Sequence, residues 1–414
     1  MHQATQNITI NTDCYQGMQK LADNSVHACI TSPPYWRLRD YEVPPSQFPE
    51  CSFTLMGMPI TIPAWTGCYG LEPTPEMFIA HTVLYFKEVY RILRPDGVLY
   101  LNIGDSYFGA ATGNPISGST LQGGMDTQIN AGKRPDKKNP RWAKMKDMVG
   151  IPYFMALALR EAGWYWRSDI IWDKKTALPE SVKDRCTKIH EYVFQFTKSD
   201  KYYWDWVAIA TESSHPVDEG RKSYPDKTKN GMRADGVYPI ANRRTIWRIA
   251  PEQNRFEHYA AFPQQLAADC IASATSEKCC AACGAPYYRQ TEKKLVPTGK
   301  AAHNFVVDDR DKNADEQDAG SNRQKDGHKN GWAYQVITTG WAKKCKCDTE
   351  DTIPATVLDP FGGTGTTGLV AAKLGRSSIL FEIKPEYCQI NSARTHREQG
   401  LFNTSTIKTN ATTT

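Results

Sequence analysis

Thr356-Val357-Leu358 is followed by Asp359-Pro360-Phe361-Gly362-Gly363-Thr364-Gly365-Thr366-Thr367-Gly368, then by Leu369 to Leu374 and Gly375. The first three residues read as a strand, the glycine-rich run as a turn, and Leu369 to Leu374 as a helix that Gly375 ends. Ser378 to Phe381 supplies a second strand, with Glu382 at its end. The whole is a βαβ unit. Its glycines let a ligand approach the backbone closely, and an acid at the end of the next strand accepts ribose hydroxyls. A purely structural turn has no need of Asp359 and Phe361, so the stretch predicts a nucleoside cofactor.

Gly363, Gly365 and Gly368 satisfy the dinucleotide spacing, so NAD and S-adenosylmethionine both fit a turn of this type. Asp359 tips the balance. A carboxylate beside a pyrophosphate repels it, whereas the amino and sulfonium groups of S-adenosylmethionine are positive. A nicotinamide-dependent dehydrogenase remains the competing enzyme class.

Outward toward the N-terminus, Val26 to Ile30 reads as a buried strand that delivers Thr31-Ser32-Pro33-Pro34-Tyr35-Trp36. The two prolines fix φ and remove two backbone donors. What is left is a rigid corner of carbonyl oxygens and the Ser32 hydroxyl beside an aromatic ring. Such a pocket suits a planar ligand with an exocyclic amino group: the acceptors take both N–H hydrogens and Tyr35 covers the ring. Trp36 adds a second ring, with packing as its alternative role. A Pro-Pro turn closing a strand is the plainer reading of the same six residues.

Between these stretches the chain alternates helices and strands. Asn7 to Thr12 is a short strand ending at Asp13, and Met18 to Leu21 fits a short helix. Arg37 to Tyr69 lacks a clear period and reads as an inserted loop region. Pro75 to Leu93 carries Met77, Phe78, Val83, Leu84, Phe86, Val89 and Ile92 at helical spacing. The turn Arg94-Pro95-Asp96-Gly97 then leads into a buried strand, Val98 to Ile103. Ile151 to Ala162 is a helix closed by Gly163, and Trp164 to Trp172 with Tyr192 to Thr197 reads as an edge hairpin. Phe262 to Ala274 is a helix with proline in its first turn. This grammar is that of a doubly wound α/β sheet.

Bulk composition narrows the class. The 414 residues suffice for one large α/β domain with inserts or for two domains, and 40% hydrophobic with 23% charged residues is ordinary for a soluble protein. A net charge of +5 permits a polyanionic partner. Met1 to Ile10 has no apolar segment of the secretory kind, and no apolar run is long enough for a bilayer, so a cytoplasmic protein with no membrane partner is expected. Lys133, Arg134, Lys137, Lys138, Arg141, Lys144 and Lys146 surround Trp142 in a basic run, read either as a solvated loop or as a phosphate-contacting segment.

Twelve cysteines in such a protein point to metal ligands or buried thiols rather than disulfides. Cys280-Ala281-Ala282-Cys283-Gly284 forms one close pair and Cys345-Lys346-Cys347 another. Two thiolate pairs bracketing a polar insertion are what a four-cysteine zinc site needs. With all four positions filled by protein, such a zinc is structural. Cys279 is the alternative to Cys280, and the glycine after Cys283 favours Cys280.

With both main stretches in hand, the chain resembles the permuted beta group of DNA amino-methyltransferases, in which the catalytic motif precedes the cofactor motif. Ser32, Pro33, Pro34 and Tyr35 resemble the catalytic Ser-Pro-Pro-Tyr motif, and Asp359, Phe361, Gly363, Thr364 and Gly365 the cofactor loop. Glu382 matches the acid that holds the ribose, Phe262-Pro263 with Leu266 an element against the methionine end, and Asp13 an acid near the adenine. The resemblance implies a Rossmann-like methyltransferase sheet, S-adenosylmethionine as cofactor, and double-stranded DNA as substrate. It further implies a prokaryotic or phage source, a monomer or homodimer, and a cognate restriction endonuclease as a possible partner. Ser32, where other members carry Asp or Asn, leans toward cytosine N4 over adenine N6. RNA methylation and a non-catalytic zinc nucleic-acid-binding protein are the remaining alternatives.

The expected organisation is a catalytic half over 1–210, with inserts near 37–75 and 106–147. A target-recognition insert follows at 211–250, the start of the cofactor half at 251–278, a zinc-knuckle insert at 279–350, the cofactor-binding half at 351–402, and a disordered tail at 403–414.

Overall fold

The computed structural model describes residues 5–108, 144, 146–176, 182–212, 239–252, 262–297, 332–399 and 404–409. Two compact units share them. The first comprises 1–205, 244–287 and 343–414; the second comprises 206–243 and 288–342. The division differs from the sequence expectation, because the two inserts contribute to one second unit while all four knuckle cysteines belong to the first.

The first unit is built on a nine-stranded sheet. In chain order its strands are β1 (Gln6–Asn11), β2 (Val26–Thr31), β3 (Leu93–Ile103), β4 (Tyr165–Asp173), β5 (His190–Thr197), β6 (Ile246–Arg248), β7 (Thr356–Asp359), β8 (Ser377–Glu382) and β9 (Thr404–Thr409). Their spatial order is β6-β4-β5-β3-β2-β7-β8-β1-β9. Within this sheet β5 alone runs antiparallel to its neighbours. Every residue of β2 is buried, as a parallel strand covered on both faces must be.

The helices are α1 (Cys14–Met18), α2 (Pro75–Ile92), α3 (Ile151–Glu161), α4 (Gln264–Ala274), α5 (Thr366–Lys373) and α6 (Pro385–Gln399). Leu99 and Leu101 of β3 join the core formed with Phe78, Phe86 and Val89 of α2 and Met155 and Leu159 of α3. Tyr100, between them, points the other way and meets Ser273 of α4 at 3.0 Å between hydroxyls. The period-two alternation thus separates the two helical layers of a doubly wound sheet. Thr74 caps α2 by accepting from Met77 N, and Pro75 opens it with a preset φ.

Several local expectations give way to tertiary detail. The first helix begins at Cys14 rather than Met18 because Asp13 Oδ1 accepts from Tyr15 N at 2.9 Å and Gln16 N at 3.2 Å. The region 37–69 holds two antiparallel pairs, Ser46–Phe48 with Trp65–Gly67 and Cys51–Leu55 with Met58–Ile62. The second pair turns on Met56 and Gly57, both at positive φ, whose amides donate to the Glu161 carboxylate. Those two bonds from α3 help to hold Met56 at a positive φ, a position where such turns favour Asn or Gly. Pro263 is the N-cap of α4 and not a first-turn residue. In the expected disordered tail, 404–409 forms β9, which pairs in parallel with the whole of β1. Its β-branched residues, Thr404, Thr406, Ile407 and Thr409, suit a strand.

Arg94 to Gly97, read as a turn, lies inside the long strand β3 as an out-looped segment. Val26 pairs with Leu93 but Ala28 pairs with Val98, so four residues bulge from the ladder. Among the described residues no helix is long and apolar enough to cross a membrane. In the second unit, Arg289 Nη1 donates to Thr338 Oγ1 at 2.8 Å and its guanidinium lies 4.5 Å over Trp341. The basic run before Lys144 and residues 213–238 of the 211–250 insert lie outside the described residues. Lys144 pairs with Asp147 and Lys146 with Asp184.

Candidate active site

β2 and β7 are parallel neighbours, with Val357 opposite Ala28 and Leu358 opposite Cys29. Their carboxyl ends therefore finish level, and the two sequence motifs meet there. Thr31 Oγ1 donates to Asp359 Oδ1 at 2.6 Å, a bond between residues 328 positions apart. Thr367 Oγ1 donates to Asp359 Oδ2 at 2.6 Å, and Phe361 N donates to Oδ1 at 3.1 Å. The open carboxylate expected beside a cationic cofactor is thus occupied: Asp359 is 2% exposed and ties the two loops together. Burial raises its pKa, against the pull of the two threonine hydroxyls.

Outside these strand ends lies a cleft enclosing about 1120 Å³, its open mouth included. Asp13, Ser32, Pro34, Phe262, Asp359, Phe361, Gly363, Thr364 and Glu382 line it. Pro33, Tyr35, Pro263 and Gly365, also singled out from the sequence, do not line this cleft. Tyr41, Lys384 and Tyr387 do, and no local pattern marks them.

Backbone geometry explains the glycines. Gly363 has φ +51 and open space where a Cβ would stand, so its backbone is free to face a ligand. Its N–H donates to Glu382 Oε2 at 2.9 Å, while Lys384 N donates to Oε1 at 2.8 Å. Each carboxylate oxygen keeps a lone pair for a further donor, the arrangement two ribose hydroxyls require. Burial pushes Glu382 up to about 7, the two amides opposing it. Gly365 serves packing instead, since a Cβ there would lie 1.9 Å from Asn391 Oδ1. Arg394 Nη1 holds the loop from behind, donating to Thr364 O at 2.9 Å. Phe361 forms an aromatic wall with Tyr69, stacked at 5.5 Å, and Tyr85, edge-on at 5.8 Å. Asp13 spends Oδ1 on the α1 cap and Oδ2 on Ser46 Oγ at 2.7 Å.

The proline corner is held from both sides. Gly70, at φ +93, sits where a Cβ would come within 2.8 Å of Pro34 Cβ, and its carbonyl accepts from Arg37 N. Trp36 is 4% exposed and donates its indole N–H to Glu72 O, which is a packing role. Tyr35 donates its hydroxyl to Glu191 Oε2 at 2.5 Å, and Asn102 Nδ2 donates to the same oxygen at 3.2 Å. Burial alone would raise Glu191, but Lys174 and these hydrogen bonds bring it below the usual range, so it stays ionised. Sequence reading missed Glu191 and Lys174; the one available signal was an acid and a base bordering otherwise apolar strands.

The four cysteines expected to act together do converge. The sulfurs of Cys280, Cys283, Cys345 and Cys347 all lie within 4.8 Å of one another. Cys279 is fully buried in a two-residue strand paired with Thr352–Ile353 and is not part of the group.

Comparison with known proteins gives four findings. The family model described as DNA methylase matches residues 26–279 and 349–393. The type II methyltransferase M.Cfr9I of Citrobacter freundii is 36% identical over 275 residues, 64% of this chain and 71% of that protein. The type II methyltransferase M.SmaI of Serratia marcescens is 28% identical over 387 residues, 94% of this chain and 90% of that protein. Among solved structures, the cytosine-N4-specific PvuII DNA methyltransferase aligns with a TM-score of 0.49 and 14% identity, over 95% of this chain and 88% of that one.

Proposed function

The chain belongs to the DNA methylase family, and on that premise we propose that it transfers the methyl group of S-adenosylmethionine to the exocyclic N4 of cytosine in double-stranded DNA. One observation carries the reading: the Thr31–Asp359 bond, which joins an acceptor-rich proline corner to a glycine-rich cofactor loop at one end of a parallel sheet. Ligands of open α/β sheets bind outside the carboxyl ends of the strands, at such a crossing point.

In this reading Glu382 accepts the ribose hydroxyls and Gly363 and Thr364 line the nucleoside. Phe361, stacked on Tyr69, and Phe262 give the cleft apolar walls. S-adenosylmethionine supplies an electrophilic methyl group. The Ser32 hydroxyl and the Pro33 carbonyl accept the two N–H hydrogens of the target amine. That draws the nitrogen toward a pyramidal shape and localises its lone pair for in-line attack, so positioning supplies much of the rate. The methyl–sulfur bond breaks as the nitrogen–carbon bond forms, leaving the neutral thioether, and the surplus amine proton passes to solvent. Tyr35, anchored through Glu191 and Asn102, covers a base turned out of the duplex. No cysteine is needed as a nucleophile. The four-cysteine knuckle takes a structural zinc ion in this reading and stands outside the transfer step. The type II relatives support a cognate restriction endonuclease as partner and a prokaryotic or phage cytoplasm as location.

Nucleoside mass spectrometry on DNA from a methylation-free host expressing the chain tests this. N4-methylcytosine is the expected product. N6-methyladenine in its place refutes the base assignment and keeps the mechanism, and neither base appearing refutes DNA as the substrate.

A further inference from the structure

The cysteine knuckle is bonded to the strands that carry both active-site loops, at the ends opposite those loops. His27, the second residue of β2, has its Nε2 2.9 Å from Gly284 O, the carbonyl that follows Cys283. Its Nδ1 accepts from Thr356 N, the first residue of β7, also at 2.9 Å. One imidazole thus bridges knuckle, β2 and β7, with Nε2 carrying the proton. The out-looped bulge of β3 supplies a second tie: Arg94 is fixed by Asp96 on one side and donates Nη1 to Cys283 O at 2.8 Å on the other. Gly284 has φ +69, and a Cβ there would lie 2.8 Å from Arg94 Nη1, so this contact demands glycine.

The ligand set suits zinc. Four thiolates around a divalent ion leave a net charge of −2, and soft sulfur donors in a closed tetrahedral set select zinc over hard cations. Two cations stand against the cysteine turns, Arg94 on the Cys283 carbonyl and Lys343, whose Nζ donates to Cys347 O at 3.0 Å. The knuckle backbone is already folded for it, with Gly284 N donating to Cys280 O at 2.8 Å.

We propose that a single zinc ion on Cys280, Cys283, Cys345 and Cys347 makes the knuckle a brace that fixes the amino ends of β2 and β7, and so the level of the two active-site loops. The inference rests on the zinc reading of the knuckle. Without the metal, the Cys280–Cys283 turn keeps its ties to 351–353, through Cys280 paired with Thr352 and Ala281 N donating to Asp351 O. It loses its cross-link to Cys345 and Cys347, however, and the Gly284 carbonyl is held less firmly against His27.

The test separates the ion from the brace. Elemental analysis of the full chain, purified without chelator, is expected to give about one zinc per chain, and Cys283→Ser with Cys347→Ser to abolish it. No metal, with the four knuckle cysteines found as free thiols or as two disulfides, overturns the zinc reading and the brace with it. Hydrogen exchange is then followed at the amides of 26–31 and 356–359. Chelation is expected to speed it about tenfold or more, and His27→Ala to speed it while zinc content stays at one. Unchanged exchange both after chelation and in the zinc-loaded His27→Ala variant, in a protein that held zinc as purified, overturns the brace alone.

Discussion

Glu382 offers a quantitative test of the cofactor site. Its carboxyl is pushed up to about 7 by burial beside the Gly363 loop. Accepting two ribose hydroxyls while already accepting from Gly363 N and Lys384 N requires the ionised form. With a pKa near 7, about 9% of the chains are ionised at pH 6 and about 91% at pH 8. Apparent affinity scales with the competent fraction, so the Kd for S-adenosylmethionine falls about tenfold between those pH values. The ligand-free protein moves the opposite way. A folded pKa raised from 4.5 means the folded chain holds the proton up to higher pH than the unfolded chain. Its stability therefore declines as pH rises from about 4.5 toward 7, by no more than about 3 kcal/mol. Isothermal titration calorimetry at pH 6, 7 and 8, with the wild type and Glu382→Gln, is the assay. The variant binds more weakly and loses the pH dependence. A wild-type Kd constant within about twofold over this range, or a Gln variant with the same slope, refutes the assignment.

Three further outcomes follow from the geometry. Thr31→Val keeps the shape but removes a donor from the buried Asp359 carboxylate, and chemical denaturation should record a loss of about 1.5–3 kcal/mol. Tyr35→Phe, which keeps the ring and cuts the tie to Glu191, should lower kcat about tenfold and Tyr35→Ala about a hundredfold or more. S-adenosylmethionine affinity, read by calorimetry, should stay unchanged in both. Gly365→Ala meets Asn391, itself bonded to Thr9, with backbone at φ +81, and the unfolding midpoint should report a cost of about 2–5 kcal/mol.

What the sequence determined by itself was carried by local patterns. Val26 to Ile30 and Thr356 to Leu358 read as strands because each is a short, mostly apolar or β-branched run. Gly362 to Gly368 reads as a ligand turn because backbone freedom is a property of glycine itself. The knuckle was legible for the same reason, since cysteine pairs act through spacing along the chain. The helix from Pro75 was marked by its period and by Pro75.

Tertiary structure alone decided the rest, because it depends on groups that meet only on folding. Asp359 looks like a free carboxylate in sequence, and only the adjacency of β2 and β7 turns it into a link to Thr31. Tyr35 is held by Glu191 and Lys174, more than a hundred residues away, through hydrogen bonds that leave no periodic trace. The hairpin at Met56-Gly57 is closed by Glu161, and β9 forms because β1 offers an open edge. In each case the energy lies in a contact between distant segments, and composition and spacing do not encode which segments become neighbours.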